Sequence, residues 1–339
     1  MSLFDTDKSA ARLPVSLITG FLGSGKTTLL NRLLRHPGMA DSAVVINEFG
    51  DVGLDHLLVE ALDGEVAVLA SGCVCCTMRS DLEETLRGLL VRRDRGEVSP
   101  FRRILVESTG LADPAPIAQL LLNNPLVSHH LRLDSIVATV DAVHGARQLN
   151  EHPEAVKQAA MADRLLLTKA DIADPAGADA LRTRLQALNP GAALHLSAHG
   201  NVEPDVLFGA GLSGINPNLQ RWLRQEAYGP GHPHTHAHAH DAAIATFCLT
   251  FSQPLEWAAV HSWLGHLRQE RGDGLLRVKG VLDLVGEPGP VAIHGVHHVF
   301  HPPVLLTGWP DSIRRSAIVF ITRGLSRADV EAHAPVTVQ

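Results

Sequence analysis

The stretch "PVSLITGFLGSGKTT" (residues 14–28) decides the fold of this chain. Its first six residues form a short apolar run that predicts a buried strand, and Gly20 to Thr27 fit the pattern G-x-x-x-x-G-K-[ST]. A helix is predicted from about Thr27 to Arg35. In a strand, glycine-rich turn and helix of this kind, backbone N–H groups and the helix N-terminus hold phosphate oxygens. The stretch therefore predicts a P-loop nucleotide site.

Individual residues of this site have predicted roles. Lys26 is expected to reach the β- and γ-phosphates, and the Thr27 hydroxyl to bind Mg²⁺. The stretch "ESTG" (107–110) ends another predicted strand, where many GTPases carry an acid that holds Mg²⁺ and a glycine that meets the γ-phosphate. Glu107 takes the position of the acid, and the alternative for it is a strand-end carboxylate paired with a surface lysine. Lys26 and Glu107 are predicted to be catalytic. The predicted phosphate-binding residues are Gly20, Gly23, Ser24, Gly25, Lys26, Thr27, Thr28 and Gly110.

The stretch "TKAD" (168–171) follows a further predicted strand and indicates which base is bound. The Asp171 carboxylate can accept hydrogen bonds from guanine N1–H and the exocyclic amine, a donor pair that adenine lacks. The aliphatic stem of Lys169 can lie over the base plane. Such a short pattern is weak alone, but together with the P-loop it favours GTP over ATP. The predicted guanine contacts are Thr168, Lys169 and Asp171.

The N-terminal part continues as apolar runs alternating with helical segments. Further strands are predicted at 42–47, 65–70, 102–108, 134–142, 163–169 and 192–198. Continuous apolar strands separated by helices predict an α/β fold with a doubly wound, mostly parallel sheet covered on both faces. The alternation stops after about residue 200. We predict a nucleotide-binding domain at 10–228, a His-rich linker at 229–241, a smaller α+β domain at 242–325 and a mobile tail at 326–339.

Three of the four cysteines lie in one short loop, "GCVCC" (72–76). Thiolates are soft ligands suited to Zn²⁺, Co²⁺ or Cu(I). A structural zinc site usually draws on two separated pairs of ligands, whereas here Cys248 is isolated and is expected in the core. The predicted metal ligands are therefore Cys73, Cys75 and Cys76, in a site that can accept and release its ion. The alternatives are buried apolar thiols or a redox pair, although the spacing lacks the two intervening residues of a thioredoxin-type pair.

Other candidate ligands leave more than one interpretation open. Glu48, in "NEFG" (47–50), either gives an oxygen ligand to the metal or helps to place the attacking water. The histidines in "HGVHHVFHPP" (294–303) either bind metal or are hydrogen-bonded within the structure. The alternating histidines of the linker form either a weak metal reservoir or an inert tether: His232, His234, His236, His238 and His240.

The overall composition excludes several classes of protein. The chain has 339 residues, a length that suggests two domains, and its net charge of −7 argues against general nucleic-acid binding. No apolar run approaches the roughly 20 residues of a membrane span, and the start lacks the apolar segment of a signal peptide. We therefore expect a cytoplasmic protein with neither nucleic acid nor membrane as partner.

These motifs together resemble those of the CobW-type P-loop GTPases, the metallochaperone branch related to the urease and hydrogenase maturation GTPases. "GFLGSGKTT", "NEFG", "GCVCC", "ESTGLADP" and "TKAD" match the family's GTPase domain in order, and the family's C-x-C-C signature falls on the three loop cysteines. "LRVKG", "HGVHHVFHPP" and "IVFITRGL" resemble its C-terminal domain. The resemblance covers nearly the whole chain.

The resemblance implies a GTP-hydrolysing metallochaperone that delivers a transition metal to a client metalloenzyme or metal-insertion complex. Its cofactors would be GTP and Mg²⁺, with Zn²⁺ as the metal; Co²⁺ for cobalamin biosynthesis and iron are alternatives. Related GTPases commonly dimerise across the nucleotide, so a nucleotide-dependent homodimer is also considered. Competing functions are a P-loop kinase or ATPase with an incidental metal, a passive metal-storage protein, and a translation or signalling GTPase, which gives no reason for the cysteines.

Overall fold

The structure is a computed structural model. It describes residues 4, 11–49, 66–71, 77–209, 244–306, 308–309 and 314–335, and at 47–49, 66–71 and 77–80 it describes the backbone alone. The described residues fall into two compact units. One holds those of 11–183 and 192–211, and the other holds those of 1–10, 184–191 and 212–339.

The first unit is built on a seven-stranded sheet in the order β3-β2-β4-β1-β5-β6-β7, and every neighbouring pair is parallel. The strands are β1 (Leu13–Gly20), β2 (Ser42–Phe49), β3 (Val66–Ser71), β4 (Arg103–Ser108), β5 (Leu131–Asp141), β6 (Arg164–Thr168) and β7 (Ala193–Leu196). Nearly every residue of β1, β4, β5 and β6 is buried. This is why the sequence shows continuous apolar runs rather than alternation: both faces of a parallel sheet are covered. The predicted doubly wound fold is confirmed.

Helices follow the strands. They are α1 (Lys26–Leu34), α2 (Thr77–Asp94), α3 (Pro114–Asn123), α4 (Pro125–His130), α5 (Gly145–Glu151), α6 (Pro153–Met161), α7 (Pro175–Leu188) and α8 (Pro204–Leu207). Proline at the first helical position starts several of them, because its missing N–H is not needed there. The Asp113 carboxylate caps α3 by accepting from the Ala115 N–H at 2.9 Å. None of the helices in the described ranges has both the length and the apolar character to cross a membrane.

The second unit is an antiparallel sheet with helices, as the predicted α+β domain requires. Its elements are β8 (Ile244–Phe251), α9 (Trp257–Arg271), a 3₁₀ turn (Gly272–Gly274), β9 (Leu275–Leu282), β10 (Val291–Val296), β11 (Val299–Phe300), β12 (Val304–Leu305), β13 (Ser316–Arg323) and α10 (Arg327–Glu331). The strand order is β11-β10-β9-β13-β8, with β12 paired to β10. Helix α9 buries one stripe at i, i+3, i+4 and i+7, namely Val260, Trp263, Leu264 and Leu267.

The prediction of a mobile tail from residue 326 was wrong for its first part. Ser326 and Asp329 form a reciprocal capping box that starts α10. Val330 is fully buried in the core of this unit, and its carbonyl accepts a hydrogen bond from Trp263 Nε1 at 3.0 Å. A buried apolar side chain and a cap hold this segment against the sheet. The limits predicted for the linker fall outside the described residues and stay predictions.

Candidate nucleotide site at the carboxyl edge of the parallel sheet

The predicted nucleotide residues gather at the ends of strands β1, β4 and β6. Parallel strands all end at one edge of the sheet, so the loops after them lie side by side. Because β1 has β4 and β5 as direct neighbours, the P-loop begins at the middle of this edge. The structure thus brings together the loop after β1, the "ESTG" stretch at the end of β4 and the "TKAD" stretch at the end of β6.

The P-loop turns sharply between Gly20, the last residue of β1, and Lys26, the first residue of α1. Gly23 and Gly25 both have positive φ, and Gly25 caps the helix. The Lys26 ammonium is buried and donates to the Gly20 carbonyl at 3.0 Å and the Phe21 carbonyl at 3.3 Å. This curled loop places a cationic group and a helix N-terminus where phosphate oxygens would bind.

Two threonines from other strands hold the loop in this shape. Thr139 in β5 shares a hydrogen bond with the Ser24 hydroxyl at 2.7 Å. Thr168 is the first residue of the "TKAD" stretch, and its hydroxyl donates to the Ser24 carbonyl at 2.7 Å. Thr28, in the first turn of α1, is exposed. The phosphate loop and the base loop are therefore linked by a direct hydrogen bond.

Thr27 and Glu107 form the oxygen-rich part of the site. The Thr27 hydroxyl donates to Glu107 Oε1 at 3.1 Å, and Glu107 is 6% exposed. A hydroxyl and a carboxylate beside a phosphate loop are the hard oxygen ligands that Mg²⁺ takes together with phosphates and water. The residues present therefore fit the predicted Mg²⁺ ion.

Gly110 lies against the P-loop and must be glycine there. A Cβ at this position would come within 2.7 Å of the Leu22 backbone nitrogen, closer than any carbon can approach. Gln158 in α6 holds the same segment by donating to the carbonyls of Gly110 at 3.2 Å and Ala112 at 3.0 Å. The segment after β4 is thus kept next to the loop that would hold the γ-phosphate.

Lys169 of the guanine stretch is positioned by Asp141, at the end of β5. Its ammonium lies 2.7 Å from Asp141 Oδ2, and its backbone has a positive φ of 56°. Asp141 also accepts from the N–H groups of Val143 at 2.8 Å and His144 at 3.1 Å. Burial alone raises the pKa of Asp141, but the bonds from Lys169, these N–H groups and the His144 ring outweigh it and lower the pKa. The carboxylate is therefore ionised and holds the lysine.

Asp171, the predicted reader of guanine, faces the loop after β7. Its carboxylate lies 3.4 Å from His199 Nε2, and the His199 carbonyl accepts from the Arg32 side chain at 3.3 Å. The carboxylate that is predicted to contact guanine thus lies next to the loop after β7. The Asp171 side chain is 24% exposed, which leaves part of it accessible from solvent.

The backbone brings Glu48 and the start of the cysteine loop to the same edge. In β2, Glu48 pairs with Ala70 of β3, and Ile46 pairs with Glu107 of β4. Strand β3 ends at Ser71, two residues before Cys73. The side chain of Glu48 lies outside the described residues, as do residues 50–55. The predicted metal ligands Cys73, Cys75 and Cys76 also lie outside them, so their role stays a prediction.

Several residues that build this site were not found from the sequence. They are Thr139, Asp141, Gln158 and His199. A usable signal existed for two of them: "VDA" (140–142) spans the end of β5 and "SAHG" (197–200) follows β7, and functional loops concentrate at such strand ends. Thr139 and Gln158 act through contacts made by neighbouring elements, which no local pattern indicates.

Comparison with known proteins places both units in known families. Residues 14–195 match the family described as CobW/HypB/UreG, nucleotide-binding domain. Residues 244–333 match the Cobalamin synthesis protein cobW C-terminal domain. Together these matches account for both compact units.

Relatives and a solved structure match over nearly the full length. The Zinc chaperone YjiA of Escherichia coli is 33% identical over 321 residues, covering 94% of this chain and 97% of that protein. The Zinc chaperone CobW of Pseudomonas aeruginosa is 30% identical, covering 95% and 91%. The crystal structure of Zn(II)-bound YjiA GTPase from E. coli superposes with a TM-score of 0.71 at 30% identity, covering 95% of this chain and 98% of that one. The chain therefore belongs to the CobW/HypB/UreG family and carries the CobW C-terminal domain.

Proposed function

We propose that this protein is a GTP-hydrolysing metallochaperone that binds zinc at Cys73, Cys75 and Cys76 in its Mg²⁺–GTP state and releases it to a client metalloprotein after hydrolysis. One observation carries the proposal: a P-loop linked to a guanine motif occurs in a chain that matches zinc chaperones over more than nine-tenths of its length. We further propose that this exchange takes place in the cytoplasm.

The nucleotide half of the mechanism follows from the described side chains. Lys26 exchanges its bonds to the Gly20 and Phe21 carbonyls for the β- and γ-phosphates. Thr27 and Glu107 are the residues that would hold Mg²⁺, which when bound neutralises charge on the phosphates. Asp171 accepts from the guanine base, while Asp141 holds Lys169 against it. Intrinsic hydrolysis should be slow, because no arginine finger is recognised in the part of the nucleotide site that the structure describes.

The metal-binding part of the proposed mechanism is argued from the order of the strands. Four neighbouring strands of the sheet connect the two sites, in the order β3, β2, β4 and β1. Strand β3 leads into the cysteine loop, β2 carries Glu48, β4 carries Glu107, and β1 leads into the P-loop. A change at the γ-phosphate next to Gly110 would therefore reach the cysteine loop through two intervening strand ends. Three thiolates suit Zn²⁺ as cargo, with Co²⁺ as the alternative. Glu48 either completes the metal site or places the attacking water.

Coupling between the two halves must be reciprocal. If GTP tightens the metal site, zinc must tighten GTP binding by the same factor. Thiolate ligands must lose protons to bind metal, so metal affinity should fall at acid pH. A nucleotide-dependent homodimer would be compatible with this scheme, since the loops at the sheet edge are where a second copy would contact the nucleotide.

The test is a metal titration in two nucleotide states. Zn²⁺ and Co²⁺ would be titrated against a competing chelator in the presence of Mg²⁺ with either GDP or a non-hydrolysable GTP analogue. We expect the GTP form to bind about tenfold tighter or more, a coupling of about 1.4 kcal/mol. The double variant Cys75→Ser, Cys76→Ser should lose this difference.

The matched control is Cys248→Ser, which removes the cysteine outside the loop. Burial raises the pKa of Cys248 to about 12, and Cys248 lies in β8 of the second unit rather than in the cysteine loop, so we do not expect it to contribute to the proposed site. The control should keep the nucleotide dependence. Equal metal affinity in both nucleotide states would refute the chaperone mechanism and favour a passive storage site. Equal use of ATP and GTP would favour a P-loop kinase or ATPase.

A further inference from the structure

The second unit contains a group of metal-ligand side chains that the proposed function does not use. Asp273, His297 and His298 each offer one ligand atom, and these three atoms lie within 4.8 Å of one another. Over the described ranges, no other set of three or more His, Cys, Asp or Glu side chains comes this close. The three residues come from two segments about 24 positions apart, so their approach is a product of the fold rather than of sequence spacing.

The two histidines form the turn of a tight hairpin. Val296 at the end of β10 pairs with Val299 at the start of β11, which leaves His297 and His298 as the two-residue loop. His297 has a positive φ of 53°, a conformation usually given to glycine or asparagine in such turns. A histidine here has a conformational cost that glycine would avoid. The hairpin nonetheless keeps two imidazole side chains next to each other at its tip.

The second segment is shaped to receive this hairpin. Helix α9 ends at Arg271, and the 3₁₀ turn Gly272–Gly274 carries Asp273. A Cβ at Gly272 would lie 2.8 Å from the Cβ of His298, so any side chain there would push the hairpin away from Asp273. The His297 N–H also donates to the Leu276 carbonyl at 3.4 Å. The absent side chain at Gly272 thus lets the hairpin approach the turn that carries Asp273, and the bond to Leu276 fixes the hairpin backbone.

The chemistry of the three ligands selects a class of ion. Two imidazole nitrogens and one carboxylate oxygen are a common three-ligand set for Zn²⁺, which then keeps a fourth position open. Imidazole also suits copper and nickel, whereas Mg²⁺ and Ca²⁺ prefer oxygen ligands alone. His297 is 6% exposed, while Asp273 and His298 are exposed, so one ligand is fixed in the interior and two face solvent.

An open cavity of about 330 Å³ gives access to this position. Asp273 and His298 line it together with Glu270 and three arginines, Arg268, Arg271 and Arg323. The guanidinium groups weaken the attraction for a cation, which favours an ion that can leave again. They also suit an anion, such as a carboxylate, at the open fourth position of a bound metal.

We propose that Asp273, His297 and His298 bind one zinc-class divalent ion in the second unit, through residues other than the loop cysteines. The site is exchangeable and leaves one coordination position open toward the arginine-lined cavity. It gives the protein a metal-binding capacity that does not depend on the nucleotide loops.

The experiment uses the full chain with the other candidate ligands removed. The background variant carries Cys73→Ser, Cys75→Ser and Cys76→Ser, with alanine at the alternating histidines His232, His234, His236, His238 and His240. Co²⁺ is titrated by its visible absorption, and Zn²⁺ is titrated against a competing chelator. We expect this background to bind one equivalent of Zn²⁺ and to give the absorption bands of four- or five-coordinate Co²⁺.

Single changes in the background then test the ligands. His298→Ala and Asp273→Asn should each lower Zn²⁺ affinity tenfold or more. His297→Asn should do the same while keeping the turn, because asparagine tolerates positive φ. The matched control is His266→Ala, which removes a histidine of α9 that pairs with Glu270 at 3.2 Å; its Zn²⁺ affinity should be unchanged. Thermal unfolding without metal checks that each variant is folded.

Two results would overturn the proposal. One is a background protein that binds no stoichiometric Zn²⁺ or Co²⁺. The other is an equal loss of affinity in the His298→Ala and His266→Ala variants, which would indicate diffuse surface binding. Because the loop cysteines are absent throughout, either result leaves the proposed nucleotide-dependent site untouched.

Discussion

Replacing Asp141 by asparagine should weaken guanine nucleotide binding. Asparagine has the same shape, and its carbonyl oxygen can still accept from the Val143 and His144 N–H groups. Its amide nitrogen, however, would face the Lys169 ammonium, where Asp141 Oδ2 now lies at 2.7 Å. Two donors would then oppose each other. Without the Asp141 carboxylate, the Lys169 side chain is no longer held in place before the base binds. Base binding must then also fix this side chain, which makes binding weaker.

The magnitude follows from that single contact. A hydrogen bond to a charged group contributes about 1.5–3 kcal/mol. The Lys169 side chain is 36% exposed, so solvent screening reduces this to about 1–2 kcal/mol. At about 1.4 kcal/mol for each factor of ten, GDP should bind about 5- to 30-fold more weakly. The dissociation constant would be measured with a fluorescent GDP analogue at fixed Mg²⁺.

Two comparisons separate positioning of the base from general damage. Pyrophosphate, which has no base, should bind Asp141→Asn and the unchanged protein equally, because the P-loop contacts are intact. The control Asp134→Asn alters a buried carboxylate at the other end of β5, where it accepts from Arg132 at 3.0 Å and the Gly209 N–H at 2.8 Å. It should lower the unfolding temperature and leave GDP affinity alone. An equal loss for GDP and pyrophosphate, or no loss for GDP, would refute the reasoning.

Three further predictions concern pH, packing and thiol reactivity. Because the folded-state pKa of Asp141 lies below the ordinary 3.8, its contribution to stability is present above that pH and is lost as pH falls through the folded value; the acid arm of a stability–pH curve should therefore flatten in Asp141→Asn. Gly110→Ala should reduce GTP hydrolysis more than GDP binding, because its Cβ would displace the Leu22 backbone beside the γ-phosphate position; kcat and GDP affinity measured together check this. In a variant without the three loop cysteines, Cys248 should stay unreactive toward a disulfide reagent at pH 8 until denaturant is added, since burial raises its pKa to about 12; fast reaction of the folded protein would contradict this.

The parallel sheet could be predicted because its strands are buried on both faces. The runs at 102–108 and 163–169 have unbroken apolar centres, Ile104–Val106 and Leu165–Leu167, and together with 14–19 they lie within or beside β1, β4 and β6. The P-loop and the "TKAD" stretch were also visible, since their chemistry is carried by residues close together in sequence. The sequence does not show which strands are neighbours in the sheet. Strand β5 lies between β1 and β6, and this position brings Thr139 and Asp141 into the site.

Two features of the second unit could not be predicted from the sequence. Its helix α10 is short, and Val330 is the one large apolar residue of 326–331, so the pattern predicted a tail. Its burial depends on Trp263 from α9, about 67 positions earlier. The approach of Asp273 to His297 and His298 likewise depends on the missing side chain of Gly272. Contacts of this kind are decided by packing between distant segments, which local propensity does not encode.

The hydrogen bond from Thr168 to the Ser24 carbonyl has a consequence for ligand discovery. It ties the two halves of the nucleotide pocket, so a small fragment that occupies only the base half should stiffen the phosphate half, and the reverse. Fragments found separately for each half should then bind together more tightly than the product of their individual affinities predicts. A compound that joins two such fragments should therefore bind more tightly. A Thr168→Val variant would show how much of this increase in affinity comes from the hydrogen bond to Ser24.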